Sequence, residues 1–313
     1  VDLDMLGGKF GFSGDFFLKN TSDILLRLPI VDIVGTTPPM QNAGKVRNIG
    51  AEFQLNHNNQ IGNVKYFANF NFSYIHNEIT DLRGGDTPGR SVGDPIANIY
   101  GLECEGIFSS QEEIDNHPKQ VWGAKTGDLK YKDLNQDGIV DDNDRTSLGS
   151  YFPKINFGLR LGMEYKNFDF SALFQGAGMV NAIVKNEINK AFFNGGKVVE
   201  DHLDRWTPDN LDASYFRLSM KDSQKNWMSS SFWVQNSSYL KLRNIQLGYT
   251  IPQDLLNGWG ISRLRLYFSA DNLLTITGFK GVDPESAYNI KSLSASTYYP
   301  LAISYSFGVN VSF

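Results

Sequence analysis

One acidic segment of the chain has the residue types and the spacing of a calcium-binding loop. It runs from Asp133 to Asp144, with oxygen-bearing side chains at positions 1, 3, 5, 9 and 12 and Gly138 at position 6. The expected ligands are Asp133, Asn135, Asp137, the Ile139 carbonyl, Asp141 and Asp144. Position 12 is aspartate rather than glutamate and no second such loop is present, so a Ca²⁺-bound loop staple is favoured over a calcium sensor. A metal-free turn rich in Asn, Asp and Gly is the alternative.

No other pattern predicts catalysis. The histidines (His57, His76, His117 and His202) lack the spacing of metal ligands, and the single Cys104 rules out a disulfide framework and a Cys-based zinc site. No G-x-S-x-G segment presents a nucleophile, and spacing alone assigns no pair of carboxylates as acid and base. We therefore expect a protein that is not an enzyme.

Aromatic residues in two long polar stretches are candidate contacts for a substrate or a protein partner. Flat rings suit stacking on sugar faces or burial against another protein. The alternative is that the rings pack the long loops against one another. The candidates are Trp206, Tyr215, Trp227, Trp233, Tyr298 and Tyr299.

Composition narrows the class of protein. A net charge of −5 argues against a nucleic-acid partner, which normally meets a basic face. No run of about 18 apolar residues exists, so a helical membrane span is excluded. The mean hydropathy of −0.31 does not exclude a membrane β-barrel, whose alternating strands average as polar.

Period-two alternation dominates the chain and indicates β-strands. The clearest case is 303–313, where Tyr305, Phe307 and Val309 alternate with Ser306 and Gly308. The alternation predicts eight strands, near 9–28, 44–57, 64–76, 155–165, 168–175, 238–251, 262–272 and 303–313. In the sixth strand the apolar phase shifts between Leu242 and Ile245, which predicts a β-bulge at Arg243–Asn244.

The connections between these strands alternate between short and long. Short connections are expected at 58–63, 166–167 and 252–261, and long ones at 29–43, 79–153, 179–237 and 273–301. Outer-membrane barrels sort their loops in this way, with short periplasmic turns and long extracellular loops. The pattern thus favours an all-β, transmembrane antiparallel barrel, with a soluble sandwich as the alternative. Polar residues expected to face the lumen are Lys65, Arg160, Glu164, Asp169, Arg263 and Arg265.

A series of segments, in order, resembles one family, the SusC/RagA-like TonB-dependent outer-membrane transporters of the Bacteroidota. Gly44–Glu52 resembles the family's N-x-G-x-E strand, and Gly127–Asp133 runs into the acidic loop. The further segments are Asp144–Arg145, Gly149, Pro153, Phe157–Leu159, Phe168–Phe170, Phe174–Gly176, Arg205–Pro208, Tyr239–Ile245, Asp271–Leu273 and the closing aromatic strand.

The resemblance implies that residues 1–313 are the C-terminal part of a 22-stranded barrel with a plugged lumen, here about eight strands with long extracellular loops. The family implies a Gram-negative outer membrane and import of oligosaccharides or peptides, energised by TonB through a plug region upstream of Val1. It further implies a SusD-like surface lipoprotein acting as a lid over loops 79–153 and 179–237.

Two other functions stay open on the sequence. A self-contained eight-stranded outer-membrane barrel, acting as an adhesin or a passive barrel, would have to pair its inward charges across a narrow lumen. A soluble calcium-dependent carbohydrate-binding module would fold without detergent and melt at a calcium-dependent temperature.

Overall fold

The structure is a computed structural model that describes residues 1–27, 39–87, 89–184, 190–192, 198–219, 224–286 and 301–313. In chain order its strands are β1 (Asp2–Met5), β2 (Phe10–Arg27), β3 (Met40–Ile61), β4 (Val64–Asp81), β5 (Asn98–Leu102), β6 (Cys104–Ile107), β7 (Lys119–Gln120), β8 (Leu129–Tyr131), β9 (Ile139–Val140), β10 (Arg145–Ser150), β11 (Ile155–Tyr165), β12 (Phe168–Gly178), β13 (Asn181–Ile183), β14 (Val234–Asn236), β15 (Tyr239–Thr250), β16 (Arg263–Thr277) and β17 (Ser304–Ser312). The one α-helix in the described part, α1, spans Gln111–Asn116, and 3-10 turns span Asp142–Asp144, Glu200–Asp204, Gln224–Trp227, Ser231–Trp233 and Gln253–Leu255. No helix within these ranges is both long enough and apolar enough to cross a membrane.

Nine strands form one antiparallel sheet in the order β1-β2-β3-β4-β11-β12-β15-β16-β17. Eight of them are the strands that the alternation predicts, and β1 is an additional edge strand. The predicted bulge is confirmed, because the β15 register skips Arg243 against both neighbours. This fold is the expected all-β sheet of consecutive antiparallel hairpins.

One face of the sheet is apolar from strand to strand. Directly paired positions across seven strands are Phe12, Leu55, Phe70, Leu159, Phe174, Leu242 and Leu274. The side chain of Phe307, on this face, is 85 % exposed. Exposed rings in a continuous apolar band suit lipid rather than water.

The opposite face is polar, and it carries every predicted lumen-facing residue. The strands place Lys65, Glu164 and Asp169 in one cross-strand row, and Arg160 lies four residues from Glu164 on the same face of β11. Arg265 and Arg263 follow on β16, where their pairing partners are Asn310 and Ser312. The sheet therefore separates an apolar surface from a polar one, as a barrel wall requires.

Connections at the two ends of the sheet differ as predicted. At one end the turns are short, with Gly62 at φ +57° between β3 and β4 and Lys166–Asn167 between β11 and β12. At the other end β4 is joined to β11, and β12 to β15, by long segments that carry short strands of their own. Four two-stranded sheets pair β5 with β10, β6 with β8, β7 with β9, and β13 with β14. Long loops are thus concentrated at one end of the sheet.

Candidate functional site

The described residues of the long segments 82–154 and 179–238 fold together into one compact loop assembly, which has its own apolar core. Its buried members are Leu102, Leu129, Tyr131, Val140, Tyr215, Phe216 and Trp233. The Leu102 backbone N–H donates to the Ser229 carbonyl over 2.9 Å, so the two segments also share backbone pairing. The assembly is therefore a built surface and not two independent loops.

Most of the predicted contact aromatics lie inside this assembly. Tyr215 and Trp233 are only 6 % and 3 % exposed, and Trp227 stacks on Trp233 with ring centroids 4.9 Å apart. Trp206 lies against Gly127, where a Cβ would come within 2.4 Å of its ring. These rings pack the loops together in this structure, which is the alternative that the sequence left open. Tyr298 and Tyr299 lie outside the described residues.

A buried carboxylate, Asp128, joins the two long segments. Its side chain is completely buried and receives Arg217 Nε at 2.7 Å, Lys225 Nζ at 2.8 Å and Asn226 Nδ2 at 3.0 Å. Asn226 in turn accepts the Leu129 backbone N–H at 2.9 Å. A buried charge is tolerated only when it is paired and hydrogen-bonded, and Asp128 satisfies both conditions.

Hydrogen bonds within the acidic loop fix its geometry. Asp133 accepts the backbone N–H groups of Gln136 and Gly138, at 2.7 and 2.9 Å. Asp144 is fully buried and accepts the N–H groups of Leu134, Asn135 and Asp141. The position-12 carboxylate thus ties the two ends of the loop together through the backbone.

The ligand types in this loop are those that Ca²⁺ prefers, namely carboxylate, amide and carbonyl oxygens. The carboxylate of Asp144 has no ion-pair partner among the described residues, so a cation beside it would add attraction. However, the described part of the chain contains no group of three or more His, Cys, Asp or Glu side chains placed to hold a metal ion. Calcium binding by this loop stays a prediction.

A second ionic cluster fixes the segment after β16 to the polar face of the sheet. Lys241 is 2 % exposed, and its Nζ lies 2.9 Å from Asp283 Oδ1 and 2.9 Å from Glu285 Oε2. Arg243 Nη2 meets the other oxygen of Glu285 at 2.6 Å. Burial of Asp283 raises its pKa, but the hydrogen bond from Lys241 and the N–H of Glu285 outweigh this and hold the pKa below its usual value.

The polar face carries a further ion pair near the short-turn end. Arg265 donates through Nε to Asp169 Oδ2 at 2.8 Å and through Nη2 to Gln246 at 3.0 Å. Arg160 lies over the ring of Phe67, with its Cζ 5.2 Å from the ring centroid. These contacts link β16 to β12 across β15, and β11 to its neighbour β4, and they leave the charges on the polar side of the wall.

A cavity of about 600 Å³ lies where the polar face meets the loop assembly. Asn156 and Tyr239 come from β11 and β15, Ile96 comes from the segment after β4, and Glu285 comes from the tethered segment. The size falls within the usual range for ligand sites, about 300–1,000 Å³. Among the described residues that line the cavity, no nucleophile lies beside a base.

Sequence reasoning missed Asp128, Lys241 and this cavity. Their partners lie roughly 40 to 100 residues away along the chain, and no local period marks them. Asp128 and Lys241 lie in the family-like segments Gly127–Asp133 and Tyr239–Ile245, but nothing in those segments marks either residue as a buried charge.

The amino-acid sequence is similar to those of known TonB-dependent receptors. No protein-family model matches the chain. Over its whole length it is 30 % identical to the TonB-dependent receptor P26 of Formosa agariphila and 27 % identical to the TonB-dependent receptor SusC of Bacteroides thetaiotaomicron. The chain spans 34 % and 31 % of these two relatives, about a third of their length.

Solved structures agree with the curated relatives. The RagAB peptide transporter matches with a TM-score of 0.79 and 25 % identity, covering 100 % of this chain and 34 % of that chain. The RagAB peptide importer in its open-open state matches with a TM-score of 0.80 and 26 % identity, over 99 % of this chain and 33 % of that one. These relatives are receptors and transporters, so the expectation of a non-enzymatic protein is confirmed. The chain is therefore a relative of the TonB-dependent receptors, SusC among them, and its sheet matches the C-terminal portion of their β-barrel.

Proposed function

We propose that the chain is part of an outer-membrane active transporter that imports oligosaccharides or peptides and is energised by TonB. Residues 1–313 supply one sector of the barrel wall and its extracellular loops, and a SusD-like surface lipoprotein closes over those loops. The plug region that contacts TonB belongs to the remainder of the protein.

The observation that carries this proposal is the agreement of the whole sheet and its loops with a transporter named for peptide import. Local features support it. The apolar face of the sheet suits lipid, the polar face suits a wet or plugged lumen, and the long loops at one end offer a surface for a lid. The buried Asp128 gives that surface a fixed shape, which a lid-binding face requires.

Deletion of the gene in the native bacterium tests this proposal. The deletion strain is expected to lose growth on one class of polymeric nutrient, either peptides as nitrogen source or oligosaccharides as carbon source. Growth on free amino acids and glucose is the control and should not change. Disruption of TonB should reproduce the defect, and a tagged receptor should retain a surface lipoprotein on purification. Unchanged uptake of both nutrient classes would overturn the proposal.

We also propose that the Asp133–Asp144 loop binds Ca²⁺ on the extracellular side. The support is the spacing of its oxygen side chains and the buried carboxylate of Asp144. Calcium would stiffen the loop assembly and leave the sheet unchanged.

A further inference from the structure

The turn between β15 and β16, residues 251–262, displays two large apolar side chains. Leu255 is 70 % exposed and Trp259 is 75 % exposed, whereas Leu256 between them is buried. Asp254 is the one charged residue of the turn. Exposure of this kind is unfavourable in water, because apolar surface gains free energy when it leaves water. A less polar environment would therefore stabilise the turn as it is folded.

Backbone hydrogen bonds hold the turn in this shape. The Leu255 N–H donates to the Pro252 carbonyl at 3.1 Å, and the Leu256 N–H donates to the Gln253 carbonyl at 2.9 Å. The Trp259 N–H donates to the Leu256 carbonyl at 3.1 Å. These bonds place Leu256 inside the turn and leave Leu255 and Trp259 on its surface. The display of the two side chains is thus a property of the folded turn.

The apolar face of the sheet continues to this turn. On that face Tyr249 of β15 pairs with Leu266 of β16, and the next residue on β16 toward the turn, Leu264, pairs with Val311 of β17. No charged side chain separates these residues from the turn on the apolar face of the described strands. Lipid that covers this face therefore reaches the turn directly, and the boundary of the hydrocarbon layer lies at its level.

The turn does not fold over the polar face of the sheet. A hollow on the polar face at the same end is lined in part by Thr250 and Arg263, which flank the turn. No described residue from 251 to 261 contributes to that lining. The turn therefore extends from the end of the wall, next to the lipid boundary, and leaves the polar face uncovered.

We propose that the 251–262 turn is a membrane anchor, in which Leu255 and Trp259 insert into the headgroup layer of the leaflet on the short-turn side. In outer-membrane barrels this is the periplasmic leaflet. Tryptophan suits the headgroup layer, because its ring is apolar and its indole N–H can donate to a lipid phosphate or carbonyl oxygen. The partner is the phospholipid surface, and insertion fixes the depth of β15 and β16 in the membrane.

Fluorescence quenching of the full-length receptor in phospholipid vesicles tests the anchor. The vesicles contain phosphatidylethanolamine and phosphatidylglycerol, with or without a phosphatidylcholine that carries bromine on its acyl chains near the glycerol. Subtracting the spectrum of the Trp259→Phe variant from that of the parent leaves the emission of Trp259. The brominated lipid should quench this emission strongly, and acrylamide in the water should quench it weakly.

A tryptophan in the loop assembly is the control for the two quenchers. Gln111 is exposed on α1, so Gln111→Trp in the Trp259→Phe background places a ring in water at the other end of the sheet. Its emission should be quenched by acrylamide and not by the brominated lipid. The two sites are thus expected to give opposite results in the same vesicles.

Two further variants test whether the apolar side chain holds the turn in the lipid. Leu255→Ser should raise the acrylamide quenching constant of Trp259 by up to about tenfold, since burial of one Leu side chain supplies that factor. Asn257→Ser is the matched control, because Asn257 is polar and exposed in the same turn, and it should change nothing. Each variant is compared with its own Trp259→Phe partner.

Three results would overturn the proposal. One is acrylamide quenching of Trp259 as strong as that of the Gln111→Trp control. The second is emission that neither quencher reaches, which would mean that a protein segment covers the turn. The third is an equal response of Leu255→Ser and Asn257→Ser. None of these results bears on the proposed import function, which the deletion strain tests separately.

Discussion

Replacing Asp128 with asparagine should loosen the loop assembly without dismantling the sheet. The side chain is fully buried and holds Arg217, Lys225 and Asn226 on its two oxygens. Asparagine keeps the shape of the side chain but removes the negative charge that Arg217 and Lys225 share. Loss of one partner from a buried ionic cluster costs about 3–5 kcal/mol.

That cost predicts the size of a measurable effect. At 1.4 kcal/mol per factor of ten, local opening of the loops should become about 100- to 4,000-fold more frequent. Amide hydrogen exchange of the full-length receptor in detergent reports this directly at Leu129 and Arg217, whose N–H groups donate to Asn226 and Gly127, while amides in the middle of β11 and β12 should keep their protection. Limited proteolysis of the loops should accelerate in parallel.

Asp142→Asn is the matched control. Asp142 also meets an arginine, Arg145, with Nε to Oδ1 at 2.8 Å, but its own side chain is 75 % exposed. Exposed pairs contribute about 0–1 kcal/mol, so this variant should exchange nearly as the parent does. Equal exchange in the Asp128→Asn and Asp142→Asn variants would refute the reasoning that Asp128 holds the two segments together.

Three further outcomes are expected. Phe307→Asp places a charge on the apolar face and should block assembly of the barrel in the outer membrane, measured by the change in gel mobility between unheated and heated samples. Ser306→Asp, on the polar face of the same strand, should assemble, and assembly of both variants would contradict the assignment of the faces. Added Ca²⁺ should slow proteolysis of the loop assembly and raise its melting temperature, because a Ca²⁺ concentration of a hundred times the dissociation constant stabilises the bound fold by about 2.7 kcal/mol. Asp133→Asn should abolish both effects, and an identical response of parent and variant would refute calcium binding by this loop. Burial raises the pKa of the Cys104 thiol to about 11, so little of the reactive thiolate forms below that pH. Alkylation of Cys104 by iodoacetamide at pH 8 should therefore be at least 100-fold slower than in the unfolded chain and should accelerate toward pH 11. Fast labelling of the folded receptor at pH 8 would contradict this.

The strands of the sheet could be read from the sequence because one face of each strand must be apolar. In β17 every second residue is apolar, and nothing but a strand gives that period. The ends of the strands were harder to predict. β3 begins at Met40 and β4 continues to Asp81, beyond the residues that alternate. The residues at these strand ends pair with neighbouring strands through their backbones, and their side chains do not follow the apolar-polar alternation.

The loop assembly could not be predicted in the same way. Leu102, Leu129 and Phe216 form a core from distant segments, and none lies in a periodic pattern that would indicate which face is buried. The acidic loop shows a related limit. Spacing identified Asp133 and Asp144 as paired positions of one loop, but it could not show that the Asp144 carboxylate accepts three backbone N–H groups.

The residues expected to face the lumen could be predicted in part. Alternation predicted that Asp169 and Arg265 share a face, and the register places both on the polar face of the sheet. Their direct hydrogen bond depends on register across an intervening strand, β15, which alternation does not determine.

The central claim is that this chain is one sector of a larger outer-membrane barrel. The most direct test is the denaturing mass of the native polypeptide in purified outer membranes, detected with an antibody against these residues. Because the chain accounts for 35.1 kDa and 34 % of its relative, 35.1 kDa divided by 0.34 gives a mass of about 100 kDa for the whole protein in that fraction. A polypeptide of about 35 kDa, or one found only in the soluble fraction, would contradict the claim.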